Sequence, residues 1–176
     1  MRDYKSYKLG RDGERAVGQS LEELRAFGFS VLHDLLGEGF NLDHALFTNK
    51  GIFVIETKTI SKPTKGPAVV SFRGKQILVN GYGIDRDPIT QVVAQAHWLA
   101  EVLQKSTGKQ YPVKGVVVFP GWFVEPMPKS IKERAWVLSP KALIGFISHE
   151  PVRLKEDEVH MAVYHLSRHI RLPKQD

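Results

Sequence analysis

The sequence predicts a mixed α/β fold in which a central β-sheet is flanked by helices. An amphipathic segment at residues 12–27 precedes several short apolar segments, a second helical segment begins near residue 88, and a β-branched run at 113–120 follows it. This order of helix, strands, helix, strand and final helix is typical of a mixed sheet covered by helices. With 176 residues, 42% of them hydrophobic and 25% charged, the chain is expected to form a single domain over residues 1–176.

The first helix is predicted over residues 12–27. Val17, Leu21 and Leu24 recur at spacings of four and three, which places them on one helical face. Gly28 follows as a residue that suits the end of a helix. This helix therefore presents one apolar stripe to the rest of the fold.

Apolar, β-branched segments bounded by turn residues predict the strands. They cover residues 29–35, 41–47, 52–59, 68–72, 76–81, 113–120 and 135–139. The second helix has Asp87 as its N-cap, Pro88 at its first position and Gly108 at its end. A short capped helix is predicted within residues 139–148, and a last helical segment covers residues 156–170.

The charge balance narrows the class of partner. The chain has 25 Lys and Arg against 19 Asp and Glu, a net charge of +6 at pH 7. Such an excess favours a polyanion, either nucleic acid or an anionic membrane, although it also suits a protein that is merely basic and soluble. The chain has no cysteine, which excludes disulfides and thiolate metal sites. It has neither a secretory signal nor an apolar run that would span a bilayer, so we expect no membrane partner and a cytoplasmic location.

Charged residues interrupt the most strand-like part of the chain, NLDHALFTNKGIFVIETKT. If the hairpin loop is Asn49-Lys50, Asp43 lies opposite Glu56; if it is Lys50-Gly51, Asp43 lies opposite Lys58. Either two-residue loop places the three side chains on one face, because strand side chains alternate with period two. A three-residue loop would send Asp43 to the other face.

Two adjacent carboxylates repel each other, and burial adds a desolvation cost, so a cation must offset both. Oxygen ligands of this kind suit Mg²⁺ or Mn²⁺. An ion held by Asp43 and Glu56 would lower the pKa of a bound water, and Lys58 would hold that water for attack on a phosphodiester. The alternative interpretation is a cross-strand salt bridge on a solvated face.

Both helices carry polar residues that point toward this hairpin. Glu14 precedes Val17, Leu21 and Leu24 at helical spacing, so it continues the apolar stripe that faces the sheet. Its alternative role is that of a first-turn acid that interacts with the helix dipole. Gln91 and Gln95 lie one turn apart near the start of the second helix, a pattern that surface glutamines also produce.

The segments GERAVGQSLEEL, VLHDL and NLDHALFTNKGIFVIETKT, followed by a glutamine-bearing helix, together resemble the nuclease-related domain (NERD) family. That family lies in the PD-(D/E)XK, restriction-endonuclease-like nuclease superfamily. The resemblance implies an α-β-β-β-α-β core over about residues 10–120, with residues of about 121–176 as a C-terminal strand and helix extension. It implies a metal-dependent nuclease acting on DNA.

The same resemblance implies a role for each matching residue. Asp43 and Glu56 are similar to the metal-binding carboxylates, Lys58 to the catalytic lysine, and Glu14 to a helix acid near the metal. Gln91 is similar in placement to an auxiliary glutamine of related nucleases. His44 belongs to the family's D-H dipeptide, without an assigned role. Related nucleases are often dimers, so a homodimer is possible.

Four basic residues are candidates for contacts with a nucleic-acid backbone: Lys62, Lys65, Arg73 and Lys75. Their alternative is an ordinary solvated loop and hairpin. Trp122 and Phe123 lie in a proline-rich segment, where they would form a rim over the site, a core plug or a dimer contact. Two other functions stay open, a catalytically weak nucleic-acid-binding module of the same fold and a protein-interaction domain that uses residues 122–128.

Overall fold

The structure, a computed structural model, describes residues 2–170, with side chains described from residue 8 onward. Helix α1 spans Arg2–Glu22 and continues as a 3₁₀ turn over Glu23–Phe27. Gly28 then ends it with φ of 83°, a left-handed conformation that favours glycine. The prediction that this helix begins at residue 12 was wrong, because charged and polar residues dominate its first turns and the apolar stripe used to find the helix begins at Val17.

Within residues 2–170, nine strands form two sheets. They are β1 (Ser30–Leu36), β2 (Asn41–Thr48), β3 (Gly51–Thr57), β4 (Val69–Arg73), β5 (Gln76–Val79), β6 (Tyr82–Gly83), β7 (Val113–Val118), β8 (Phe123–Val124) and β9 (Trp136–Leu138). The central sheet has the order β1-β2-β3-β7-β9, and the smaller sheet has the order β6-β5-β4-β8. In the central sheet β1, β2 and β3 are antiparallel neighbours, while β7 and β9 run parallel to β3. The predicted mixed sheet is confirmed.

The loop between β2 and β3 has two residues, Asn49 and Lys50. Thr48 pairs with Gly51, and the ladder continues to the pair His44–Ile55. The first of the two predicted registers is therefore confirmed, and the register with a Lys50-Gly51 loop is wrong. The Thr48 hydroxyl supports this turn, since it donates to the Gly51 carbonyl and accepts a bond of 3.0 Å from the Lys50 backbone N–H.

Helix α2 spans Pro88–Thr107 and connects the smaller sheet to strand β7 of the central sheet. The Asp87 carboxylate caps it by accepting bonds from the Ile89 backbone N–H at 3.0 Å and the Thr90 hydroxyl at 2.6 Å. Gly108 ends the helix with φ of 74°. Both predicted helix boundaries are confirmed, because the local capping chemistry alone determines them.

Three shorter helices follow: α3 (Lys129–Lys132), α4 (Leu143–Ser148) and α5 (Glu156–Leu166). The central sheet lies between two apolar layers. One layer holds α1 and α4 and includes Val17, Leu21 and Leu24, the predicted stripe. The other holds α2 and α5, together with the inner side of the smaller sheet. None of the helices within residues 2–170 is long and apolar enough to cross a membrane.

The proline-rich segment is part of the fold rather than a rim. Trp122 is 4% exposed and belongs to the core, and its indole Nε1–H donates to the Ile60 carbonyl at 2.9 Å. Phe123, by contrast, is 65% exposed on β8. The core-plug alternative is thus confirmed for Trp122 and not for Phe123.

Candidate functional site

Asp43 and Glu56 lie at the edge of the central sheet where β2 begins and β3 ends. The hairpin register, continued one residue beyond the His44–Ile55 pair, sets the two carboxylates opposite each other. The Asp43 Oδ2 atom accepts a hydrogen bond of 3.0 Å from the backbone N–H of Thr57. This bond holds the Asp43 carboxylate against the strand that carries Glu56.

The Glu56 carboxylate is buried, with the residue 6% exposed, and both of its oxygens have partners. Oε1 lies 3.0 Å from the donating Gln91 Nε2 and 3.2 Å from the Lys58 ammonium. Oε2 accepts a bond of 3.3 Å from the Gln95 Nε2 group. Gln91 also accepts a bond from the Lys58 ammonium at 3.2 Å, so Lys58, Gln91 and Glu56 form a closed hydrogen-bonded triangle.

The charge at the site is unbalanced. Burial raises the pKa of Asp43 to about 8, and the negative charges of Glu56 and Glu14 add to that rise. The Thr57 N–H bond and the Lys58 ammonium act in the opposite direction and offset only part of it. A metal-free Asp43 is therefore mostly protonated at neutral pH, because the side chains around it supply too little positive charge.

The donors at this site fit a hard divalent cation. Asp43 and Glu56 offer only carboxylate oxygens, and the residues that the structure describes contain no group of three or more His, Cys, Asp and Glu side chains arranged to hold a metal ion. Mg²⁺ usually takes one or two carboxylates from the protein and completes its ligands with water and phosphate oxygens. A two-carboxylate site is sufficient for such an ion, and a third ligand from Glu14 stays a prediction.

Glu14 enters the same electrostatic environment from α1. Its pKa is raised, first by burial and then by the charges of Glu56 and Asp34, while Lys58 lowers it. Glu14 and Asp43 line the same cleft, so α1 carries this acid to the end of the sheet where β2 begins. The expected orientation of Glu14 toward the sheet agrees with this placement.

Two glycines allow α1 to lie this close. A Cβ atom added at Gly13 would lie 2.0 Å from the Thr59 hydroxyl, and one added at Gly18 would lie 3.2 Å from Cε1 of His44. A Cβ atom essentially never lies closer than 3.0 Å to a neighbouring heavy atom, so only glycine fits beside Thr59. Glu14 directly follows Gly13, and this close approach sets its distance from the sheet.

The Asp43 side chain opens onto a cleft of about 710 Å³ between α1 and the strands β1 and β2. Glu14 and Asp43 line it together with Arg11, Arg15 and His44. Acids of the predicted site and two exposed arginines thus share the wall of one cleft, which opens the site to solvent beside α1.

His44, the histidine that follows Asp43, is a buried and uncharged residue. Its Nδ1 atom lies 2.8 Å from Nδ1 of His33, and Nε2 of His33 lies 2.6 Å from a Glu22 carboxylate oxygen. Burial, and then the charge of His33, lowers the pKa of His44 to about 4. Hydrogen bonds from Arg25 and His33 lower the pKa of Glu22 to about 2. His44 thus belongs to a polar network that joins α1 to the sheet.

The four predicted nucleic-acid-binding residues are exposed at two places. Lys62 and Lys65 lie on the loop after β3, while Arg73 and Lys75 lie at the turn between β4 and β5. Arg73 and Lys75 line a surface cleft of about 310 Å³ that also contains Asp87, at the start of α2. Their role in binding stays a prediction.

Sequence reasoning did not assign three features of this site. Gln95 donates to Glu56 alongside Gln91, which their one-turn spacing had made available as a signal. The backbone N–H of Thr57 has no sequence signal at all, since any residue supplies it. Arg11 and Arg15 flank Glu14 at a spacing of four, and that spacing was visible in the sequence.

The sequence model of the nuclease-related domain, NERD, matches residues 9–120. This span includes the part of α1 that carries Glu14, the whole of the β2–β3 hairpin, α2 and strand β7. No curated protein and no solved structure matches the chain.

Proposed function

The chain belongs to the nuclease-related domain family, and on that premise we propose that it is a metal-dependent nuclease that hydrolyses phosphodiester bonds in DNA. The proposed site residues are Asp43, Glu56, Lys58, Glu14 and Gln91, with Mg²⁺ or Mn²⁺ as the cofactor. The basic excess of the chain, +6 at pH 7, supports a nucleic-acid substrate.

One observation carries this proposal. The Lys58 ammonium lies 3.2 Å from both the Glu56 carboxylate and the Gln91 carbonyl, beside an Asp43 whose ionisation the fold disfavours. A purely structural ion pair would need no second buried carboxylate, and that carboxylate makes the site less stable at neutral pH. Carboxyl groups whose pKa is shifted by burial and by a neighbouring charge are typical of functional sites.

The residues of the chain divide the chemistry between them. A divalent cation held by Asp43 and Glu56 would supply an activated water and neutralise charge on the phosphate. Lys58 has three N–H donors and two acceptors within the protein, so one donor is left for a water or a phosphate oxygen. Gln91 holds the ammonium in place through its carbonyl and holds Glu56 through its amide. Lys58 is thereby positioned to orient the attacking water and to stabilise the negative charge that develops on the phosphate.

Cleavage of labelled single-stranded DNA, duplex DNA and RNA, with Mg²⁺, Mn²⁺ or EDTA, tests the proposal. Wild-type protein is expected to cleave DNA only when a metal is present. Asp43→Asn and Lys58→Met are each expected to lower the rate at least about 100-fold, because each removes a charge that acts on the transition state. Lys105→Met is the matched control, since it removes an exposed ammonium from the last turn of α2, remote from Gln91.

The outcomes separate the three functions that the sequence left open. Metal-dependent cleavage that survives both Asp43→Asn and Lys58→Met refutes the assignment of this site. Salt-sensitive DNA binding without turnover in any metal supports a binding module of the same fold. If the protein binds no nucleic acid even at low salt, it is neither a nuclease nor a nucleic-acid-binding module, and a protein-interaction domain is then the better description.

A further inference from the structure

Arg11 and Arg15 line the cleft that contains Asp43, and their guanidinium groups form no salt bridge with a described residue. They are one turn apart on α1, they line the cleft together with Glu14 and Asp43, and both are exposed. Neither forms a salt bridge with any residue that the structure describes. Arg25, on the 3₁₀ turn that follows the same helix, is by contrast bonded to the Glu22 carboxylate and to the Val31 carbonyl.

Two of the four acids that line this cleft, Glu22 and Asp43, are hydrogen-bonded to other groups. Glu22 accepts bonds from Arg25 and His33, and those bonds keep it ionised to low pH. Asp43 accepts the backbone N–H of Thr57. Glu14 and Asp34 also line the cleft, and neither they nor the two guanidinium groups form a salt bridge with any described residue.

We propose that Arg11 and Arg15 bind two phosphates of the substrate strand, on the α1 side of the bond that is cleaved. The inference deepens the proposed function and rests on it for the identity of the polyanion. A guanidinium group presents paired N–H donors that match phosphate oxygens, which a lysine does not. The strand then crosses the site from α1, past Asp43, toward Lys58.

The spacing of the two arginines suits adjacent positions on one strand. Four helical residues rise about 6 Å along the axis of α1. Phosphates of one strand of B-form DNA follow each other about every 3.4 Å along the duplex axis, so the pair reaches phosphates one or two nucleotides apart. These contacts would add to those predicted for the loop after β3 and the β4–β5 turn, which lie on other elements.

Binding is measured in EDTA, so that catalysis plays no part, by fluorescence anisotropy with labelled single-stranded and duplex DNA from low to high salt. The double variant Arg11→Gln/Arg15→Gln is expected to bind at least about tenfold more weakly than the wild-type protein. Its slope of log K against log salt concentration should fall by about 1.4 on single strands and about 1.8 on duplex, the contribution of two phosphates. Lys105→Gln removes one exposed charge outside the cleft and is expected to keep the wild-type slope.

A second measurement locates the contact without any change to the protein. DNA in which two neighbouring phosphates are replaced by uncharged methylphosphonates should bind the wild-type protein as weakly as normal DNA binds the double variant. The double variant should lose nothing further on that DNA when the replaced pair is the one that the arginines contact. Arg11→Lys/Arg15→Lys keeps the charge and is expected to recover the slope but only part of the affinity.

Wild-type affinity and slope in the Arg11→Gln/Arg15→Gln variant would overturn the inference. So would a loss of affinity equal to that of Lys105→Gln, since it would reflect net charge alone. If the wild-type protein binds through these arginines but cleaves nothing in any metal, the phosphate contacts stand and the proposed nuclease function fails. If it cleaves and the variants bind normally, the nuclease function stands and this inference fails.

Discussion

Removing the Asp43 charge should stabilise the metal-free protein at neutral and alkaline pH. Asp43 has its pKa raised to about 8, against an ordinary value of 3.8, chiefly because it is buried and because Glu56 lies beside it. Between about pH 4 and pH 8, the folded state therefore keeps a proton on Asp43 that the unfolded state has already released. The free energy of unfolding must fall as pH rises through that window.

The magnitude follows from linkage. One pKa unit corresponds to 1.36 kcal/mol, so a single group changes the free energy of unfolding by at most about 1.4 kcal/mol per pH unit. Between pH 6 and pH 7.5 the contribution of Asp43 alone to the free energy of unfolding should fall by about 2 kcal/mol. Asp43→Asn keeps an oxygen that accepts the Thr57 N–H bond but has no charge to bury. Buried His44, whose pKa is lowered to about 4, adds the same rise in stability with pH to both proteins. Relative to Asp43→Asn, the wild-type protein should therefore lose about 2 kcal/mol over this interval.

Urea denaturation in EDTA at half-unit steps from pH 5.5 to pH 8.5 measures the two slopes. Glu101→Gln, at an exposed position on α2, is the matched control and should keep the wild-type slope. Mg²⁺ should raise the stability of the wild-type protein at pH 8 more than that of Asp43→Asn, since a ligand that binds only the folded state stabilises it. Equal pH slopes for wild type and Asp43→Asn would refute the electrostatic reasoning for this site.

The remaining predictions concern the backbone around the site. Gly13→Ala should lower the free energy of unfolding by about 1–3 kcal/mol in urea denaturation, because the new methyl group would collide with the Thr59 hydroxyl. Adding Thr59→Ala to this variant should restore part of the loss. The same loss with and without Thr59→Ala would argue against the collision. Trp122→Phe should cost about 1–2 kcal/mol and speed proteolysis of the loop after β3, since the bond to the Ile60 carbonyl is lost; unchanged stability would show that water replaces that bond. Asp34 has φ of 52°, so Asp34→Val should be about 1–2 kcal/mol less stable than Asp34→Asn, and equal stability of the two would contradict a left-handed residue there.

Local chemistry was enough to predict much of this fold. The Asp87 cap, the Gly108 stop and the apolar strands depend on residues that are close in sequence, and the structure confirms each of them. The first turns of α1 were missed because charged and polar residues dominate there and the apolar stripe used to find the helix begins at Val17. Trp122 was ambiguous because the sequence of a loop does not reveal which surface covers it, and the structure shows it in the core.

The candidate site divides in the same way. Asp43 and Glu56 were found because a two-residue loop converts sequence separation into opposition across a hairpin, and the residue pairing confirms that loop. The contacts of Gln91 and Gln95 with Glu56 depend on where a helix 35 or more residues away packs on the sheet. No local pattern contains that information.

The sequence by itself determined the class of fold and predicted that Asp43, Glu56 and Lys58 share one face of a hairpin for either two-residue loop, since these follow from periodicity and turn chemistry over a few residues. The structure decided which of the two registers forms. The tertiary structure alone decided how close Gly13 brings α1 to Thr59, which atoms satisfy Glu56, and that Arg11 and Arg15 face the same cleft as Asp43. Those properties arise from packing between distant segments. The physical reason is that burial and Coulomb interactions depend on distance in space, whereas sequence patterns report distance along the chain.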